Sequence, residues 1–255
     1  MTIDTLPHDV LLLIFHFDRV EYPDGFGDID IDPEWRFSWW HRLVHVCHSW
    51  RSIVFASPNF LGLRLYCVPD IRMELIGIWP HLPIIIRNMV DQKSTPEDYD
   101  FDILNVHHDR VCEIYLFQIT PSQLQLFAPA MQEQFPELIH LMLSYSIGPA
   151  PALPDGFLGG SAPRLQSLTP HSIPFPALPK LLSSAMQLVH LTLVKIPHIG
   201  YFPPESEAIV SCLSVLTRLE YLTIDFESHR SRPARESPRQ HAPPSPLLLV
   251  LCSKG

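Results

Sequence analysis

The chain has 255 residues, 46% of them hydrophobic and 18% charged, which is enough apolar content for one large or two modest globular domains. Its formal charge of −9 argues against nucleic-acid binding by phosphate neutralisation, and no apolar run approaches the length that spans a bilayer. The 27 prolines exclude long uninterrupted helices and favour many short elements.

The chain opens on Leu6-Pro7, followed by Asp9 and the unbroken apolar run Val10 to Phe15. Pro7 suits the first turn of a helix, and Asp9 favours the positive end of the helix dipole. With no polar residue from Val10 to Phe15, this helix is expected to need cover on more than one side. Residues 18–34 then carry seven acids against the single Arg19, so −6 of the net charge lies in one interval, read as a solvated loop. A second helix is expected beyond it, because Trp40, Leu43, Cys47, Trp50 and Val54 recur at spacings of three and four. Ser57-Pro58 ends it, since the residue before proline is pushed out of the α region.

Leu61, Leu63, Leu65 and Cys67 alternate with Gly62, Arg64 and Tyr66, the period of a half-buried strand. A short helix from Ile71 to Trp79, a buried strand at Ile84-Ile85-Ile86, a polar loop from Asp91 to Asp102 and a helix near Phe101 to Val106 are expected next. From Val111 the template L-x-x-L-x-L fits five times, with substitutions. It reads Val111-x-x-Ile114-x-Leu116, Leu138-x-x-Leu141-x-Leu143, Leu165-x-x-Leu168-x-Pro170, Leu188-x-x-Leu191-x-Leu193 and Leu219-x-x-Leu222-x-Ile224. The units step by 27, 27, 23 and 31 residues, close to the roughly 20 to 29 of leucine-rich repeats. Thr120-Pro121-Ser122-Gln123 between the first two units sets an N-cap, a first-turn proline and a capping-box glutamine in order. Pro204 and Glu205 open a further helix carrying Ile209, Cys212, Leu213 and Leu216. Pro170 makes the third unit the weakest, because it cannot donate to a ladder. From Ser228 the composition turns to Ser, Arg, Pro and His, and residues 228–255 are read as a disordered basic tail. Cys252 is the fourth residue from the end, but Ser253 and Lys254 are not aliphatic, so a prenylation box is not expected.

Five scattered cysteines without a C-x-x-C pair read as buried, reduced thiols of a protein in the cytoplasm or nucleus. His41, His45 and His48 stand at i, i+4 and i+7 and could gather zinc with Cys47 nearby. The competing reading is that they are solvated on the polar side of the Trp50 helix. Asp28-x-Asp30-x-Asp32 imitates half a calcium loop but has Pro33 where the turn needs glycine. No nucleophile elbow, P-loop or dinucleotide fingerprint is present, and no enzyme activity or cofactor is expected. What remains is binding surface. The residues that alternate with the buried ones in each repeat would line an open face, with Tyr115, Phe117, His140, Met142, His190, Thr192 and Tyr221 as candidates for contacting a target.

The N-terminal residues resemble the F-box, whose pattern begins Leu-Pro, runs into an apolar helix ending Ile-Phe, and closes on Leu-Val-x-x-Cys-x-x-Trp-Arg. Here those are Leu6-Pro7, Ile14-Phe15 and Leu43-Val44-x-x-Cys47-x-x-Trp50-Arg51, with a longer and more acidic interval between the halves. With the connector motifs Leu63-Arg64-Leu65, Ile78-Trp79-Pro80-x-Leu82-Pro83-Ile84 and His107-His108-Asp109-Arg110-Val111-Cys112, the order resembles short F-box proteins of the expanded fungal type. The resemblance implies an α/β architecture. Residues 1–58 would be a helical F-box with an acidic insertion at 18–34, 59–110 a connector, and 111–227 a short leucine-rich-repeat solenoid of alternating strands and short helices. It also implies a substrate-receptor subunit of a Skp–cullin–F-box ubiquitin ligase. Leu6, Pro7, Val10, Ile14, Phe15, Leu43, Val44, Cys47 and Trp50 would contact the Skp-type adaptor, which brings the cullin, while the repeats hold a target protein. Two alternatives stay open: a non-catalytic interaction scaffold with a divergent F-box, and a metal-dependent enzyme using His41, His45 and His48.

Overall fold

The computed structural model describes residues 6–18, 39–67, 76–77, 79, 81–87, 102–145, 150–196, 207–226 and 248–252. The chain divides into two compact units, a helical one formed by residues 1–66 with 78–83 and a sheet unit formed by 67–77 with 84–255. The division therefore falls at Tyr66 rather than at Pro58. The acidic interval beyond Asp18, residues 71–75, most of the 91–102 loop, Pro204 and Glu205, and residues 228–247 lie outside the described residues.

In the helical unit, α1 spans His8–Phe17, and the Pro7 carbonyl accepts from the Val10 and Leu11 N–H groups. Only Leu11 and Phe15, one turn apart, are buried. Val10, Leu13, Ile14 and Phe17 are exposed, so the expectation of cover on more than one side is not met among the described residues. The expected continuous second helix is broken in two, α2 at Trp39–Val44 and α3 at His48–Ala56. Cys47 between them is fully extended (φ −159°, ψ 170°), and its Sγ accepts from Trp50 N at 3.5 Å. Val44 and Val46 are β-branched and poor helix formers, and the Arg51 side chain donates to the Val44 carbonyl at 2.9 Å, occupying an acceptor at the break. The apolar spacing survives the break because Trp40, Leu43, Trp50 and Val54 are all buried.

A further short helix, α4 (Pro58–Leu61), ends on Gly62 in the left-handed region (φ 60°). That glycine lets Gly62 N and Leu63 N turn back onto the carbonyls of Asn59 and Pro58. The strand expected over 61–67 is accordingly shortened to β1 (Leu65–Cys67), although Leu61, Leu63, Leu65 and Cys67 are all buried as the alternation requires.

The sheet unit is α/β. Six parallel strands follow one another in chain order: β2 (Ile84–Arg87), β3 (Val111–Ile119), β4 (His140–Tyr145), β5 (Ser167–His171), β6 (His190–Ile196) and β7 (Tyr221–Phe226). Helix α5 (Asp102–His107) precedes β3. The later crossovers carry α6 (Pro121–Ala130), a 3-10 turn (Phe157–Gly160), α7 (Leu178–Ser184) and α8 (Glu207–Ser214). Ile86, Ile114, Leu141, Leu168, Leu191 and Leu222 are successive register partners and form one buried row across the sheet. Phe127, Phe157 and Phe175, from three consecutive crossovers, stack beneath it with centroids 6.4 and 5.2 Å apart. The Thr120 capping box forms as expected, with Gln123 N donating to Thr120 Oγ1 and Thr120 N to Gln123 Oε1. Pro170 is buried on β5, and the β5–β6 ladder has no partner pair between Leu168 and His171, the place where its N–H is missing.

The sequence pattern did not show β8. Leu248–Cys252, expected to be part of a disordered tail, forms a strand antiparallel to β7. Three strands also share a backbone feature, for Gln118, Ser172 and Lys195, each following the last outward residue of its strand, have φ of 49°, 58° and 50°. A non-glycine residue in this region costs about 1–2 kcal/mol, against about 0.5–1 kcal/mol of extra chain entropy lost by glycine. Replacing any one of them by glycine is expected to raise stability by about 0.5 kcal/mol, read as a higher urea midpoint at unchanged slope. A lowered midpoint for all three would refute this.

Candidate interaction surfaces

The helical unit holds an open hollow of about 430 Å³ lined by Ile14, Phe15, Phe17, Asp18, Leu43 and Trp50. Its wall is built by α1, whose inward pair Leu11 and Phe15 leaves Leu13 (50% exposed) and Phe17 (83%) outward, with Val10 (39%) and Ile14 (40%) between the two faces. Phe15 and Trp50 form the floor, their rings 4.7 Å apart at 56°. Trp50 Nε1 is buried with no hydrogen-bond partner among the described residues, a desolvated donor that costs about 1–3 kcal/mol.

The residues expected to face an adaptor fall into two groups. Pro7, Val10 and Ile14 are exposed, and Leu6 and Cys47 are half-buried. Phe15, Leu43, Val44 and Trp50 are buried in the unit's own core, and Phe15, Leu43 and Trp50 also line the hollow. Leu13 and Phe17 were missed. The helical period could have shown them, because residues two and six beyond Leu11 must point away from the face that buries Leu11 and Phe15.

The three histidines do not share one helix, since His41 is in α2, His45 in the turn and His48 opens α3. His41 is not simply solvated either. It is half-buried, with its ring 4.4 Å from Trp40 and 5.2 Å from Trp79, and burial, then the neighbouring His45, holds its pKa below the ordinary value. Among the described residues no three His, Cys, Asp or Glu side chains are grouped to hold a metal ion. Burial pushes the Cys67 thiol up to about 12, against the opposing pull of Arg110, so it stays protonated and is a poor nucleophile. Cys112 is likewise buried and donates to the Ile84 carbonyl. Cys47 and Cys212 are half-buried rather than buried.

The open face of the sheet is where the alternation placed it. Glu113, His140, Ser167, His190 and Tyr221 are register partners in one row across β3 to β7, and Tyr115, Met142 and Thr169 continue a second. Thr192 and Thr223 pair in the same way on β6 and β7. Each of the seven expected target contacts (Tyr115, Phe117, His140, Met142, His190, Thr192 and Tyr221) is half-buried or exposed; Tyr115, Met142 and Thr192 stand between two buried neighbours, and the other four have a buried neighbour on one side. At one end of the face the Arg87 guanidinium lies 5.0 Å over the Tyr115 ring, and Tyr115 Oη donates to Glu113 Oε2 at 3.0 Å. At the other, the His190 and Tyr221 rings stack in parallel, 4.5 Å apart at 4°. Between these ends the face presents hydroxyls, imidazoles and a thioether. Arg87 and His171 belong to this face and were not among the expected contacts. Arg87 lies on β2, read as a wholly buried strand, and His171 follows Pro170, where the template broke.

Burial is the largest cause lowering the pKa values of His107 and His171 as well. Arg110 adds to it at the first and Lys195 at the second, with Asp109 and Asp225 opposing. A depressed histidine pKa means that the unfolded chain takes up the proton first as pH falls. The stability from these groups and His41 is complete above the unfolded value near 6.5 and is lost as pH drops through the folded values. The thermal midpoint is expected to fall between pH 7.5 and 5.5. A midpoint that stays level or rises over that range would show that these histidines are not held neutral by the fold.

Comparison of the chain with protein-family models, with curated proteins and with solved structures finds no match in any of the three. Among the described residues no helix is long and apolar enough to cross a membrane.

Proposed function

We propose that the chain is the substrate-receptor subunit of a Skp–cullin–F-box ubiquitin ligase, docking a Skp-type adaptor through its helical unit and a target protein through the open face of a leucine-rich-repeat sheet. The observation that carries this reading is the uncovered apolar face of α1, where Val10, Leu13, Ile14 and Phe17 stand exposed beside the hollow floored by Phe15 and Trp50. A contiguous patch of this kind marks an interaction site, and it begins on the Leu6-Pro7 start of the F-box pattern. The chain itself performs no chemistry in this reading. It raises the local concentration of the target beside the conjugating enzyme, and the complex supplies the reaction.

The burial of Phe15, Leu43, Val44 and Trp50 favours a second reading, an interaction scaffold whose divergent F-box presents fewer contacts than the pattern implies. The test uses purified Skp-type adaptor and cullin. The receptor reading expects adaptor and cullin to copurify with the full chain and to conjugate ubiquitin onto a co-bound protein, and expects glutamine at Val10, Ile14 and Phe17 to abolish copurification. Adaptor binding without conjugation supports the scaffold, and undiminished binding by the glutamine variant overturns the F-box assignment.

A further inference from the structure

The hollow of the helical unit offers an occupant one kind of polar contact. Of its lining residues, Ile14, Phe15, Phe17 and Leu43 carry no polar side-chain atom, and the Trp50 Nε1 is buried. The remaining one, Asp18, is exposed, and its carboxylate can only accept. Asp18 is also the C-cap of α1, its N–H donating to the Ile14 carbonyl at 3.0 Å. A carboxylate there stands at the negative end of the helix dipole, an unfavourable place for it in the free chain. His16, the basic residue of the last turn, has its ring against Phe60, the centroids 5.1 Å apart. Among the described residues no cation forms an ion pair with Asp18.

These features select among the side chains that can enter. An aliphatic or phenyl group would cover the apolar wall but take water from the carboxylate without replacing it. An acid would be repelled by Asp18 and by the helix end together. A lysine or arginine satisfies both halves, its stem lying along the apolar wall and its charged head reaching Asp18. Arginine is the better fit, because its guanidinium is planar, more weakly hydrated than an ammonium, and stacks on aromatic faces such as the exposed ring of Phe17. The sequence from Asp18 to Glu34 adds to the attraction, since its seven acids against Arg19 give a field that draws a basic partner.

We propose that the hollow is the seat of an arginine side chain presented by a partner protein, its guanidinium held by Asp18 and its body lying against Phe17 and Trp50. The site is the one through which the receptor reading docks its adaptor, and it rests on that reading only for the partner's identity.

The probes are acetyl-arginine methylamide and its citrulline analogue, which is alike in shape and uncharged. Each is titrated to millimolar concentration into the isotope-labelled full-length chain, and binding is read from the resonance shifts of Phe17, Asp18 and Trp50. The arginine probe is expected to bind about tenfold more tightly than the citrulline probe. Asp18→Asn should weaken the arginine probe about threefold, with citrulline binding and the thermal midpoint unchanged. Equal binding of the two probes overturns the proposal, as does arginine binding that Asp18→Asn leaves intact. Glutamine at Arg230, Arg232, Arg235 and Arg239 together is expected to leave the arginine probe's affinity as it was. A tighter probe on that variant would overturn a partner in favour of the chain's own basic segment as the occupant. Purified adaptor, titrated into the same proteins, separates this proposal from the receptor reading. Adaptor bound equally by the unaltered chain and Asp18→Asn overturns the arginine seat and leaves the receptor reading standing. Arginine selectivity without adaptor binding supports the seat and removes the adaptor as the partner.

Discussion

Replacing Phe157 by alanine is expected to cost the sheet unit about 3–5 kcal/mol, the range for removing a buried phenyl ring. Phe157 is 1% exposed and packs between Phe127 and Phe175, themselves fully buried. It lies on the one crossover with no α-helix among its described residues. A single 3-10 turn spans Phe157–Gly160, with Leu158, Gly159 and Gly160 all at positive φ. That turn is pinned on both sides, by Leu158 N donating to the Met131 carbonyl and by the backbone of Gly159, where a Cβ would meet Gln134 Cγ at 2.6 Å. The backbone cannot follow the side chain inward, so the cavity left by alanine would not collapse, which places the cost at the upper end. At that upper end it is a third or more of a total stability of about 5–15 kcal/mol. Urea unfolding followed by circular dichroism checks it, with Phe157→Leu as the control expected to lose less than half as much. A loss under about 1.5 kcal/mol for alanine would mean the phenylalanine column is not a core element.

The repeat region was legible because one residue type at one spacing reports one environment. In the first four units every leucine-template position, Val111 through Leu193, is buried, and the residues that alternate with them on the strands are half-buried or exposed except Thr169, which is buried. The last unit is looser, with Leu219 and Ile224 half-buried, as befits a strand whose outer neighbour is the short β8. Local chemistry was equally readable where the atoms that satisfy each other lie within four residues, as in the Thr120 box. The break at Cys47 was not readable, because the spacing of apolar residues is the same for one helix and for two, and the compensating Arg51 bond spans seven residues. Nor was β8. Its partner strand lies more than twenty residues away, and an apolar run of five carries no alternation to distinguish a strand from a tail. In the helical unit the pattern marked which residues are apolar but not which serve the unit's own core. Trp50 and Phe15 meet each other, while Phe17, outside the matched pattern, is the most exposed large apolar side chain of α1.

That division between core and surface sets the outcome expected for the proposed Skp-type adaptor. Glutamine at Val10, Ile14 and Phe17 together should weaken adaptor binding at least a hundredfold, about 2.7 kcal/mol, while leaving the thermal midpoint of the free chain close to that of the unaltered protein. The three side chains are 39%, 40% and 83% exposed, so their removal takes little from the core, and glutamine keeps nearly the helix propensity of a good former. In a docked interface each would give up an apolar side chain worth about 1.5–3 kcal/mol when fully buried, so partial burial of all three accounts for the hundredfold. Phe15→Ala and Trp50→Ala are expected to behave differently. Both open the floor of the hollow and the core beneath it, and each should lower the midpoint as well as the binding. Calorimetric titration of each variant with the purified adaptor, paired with a melt of the free chain, separates the two kinds of loss. If binding falls only in step with the melting temperature across all five substitutions, the exposed face of α1 is not what the adaptor touches.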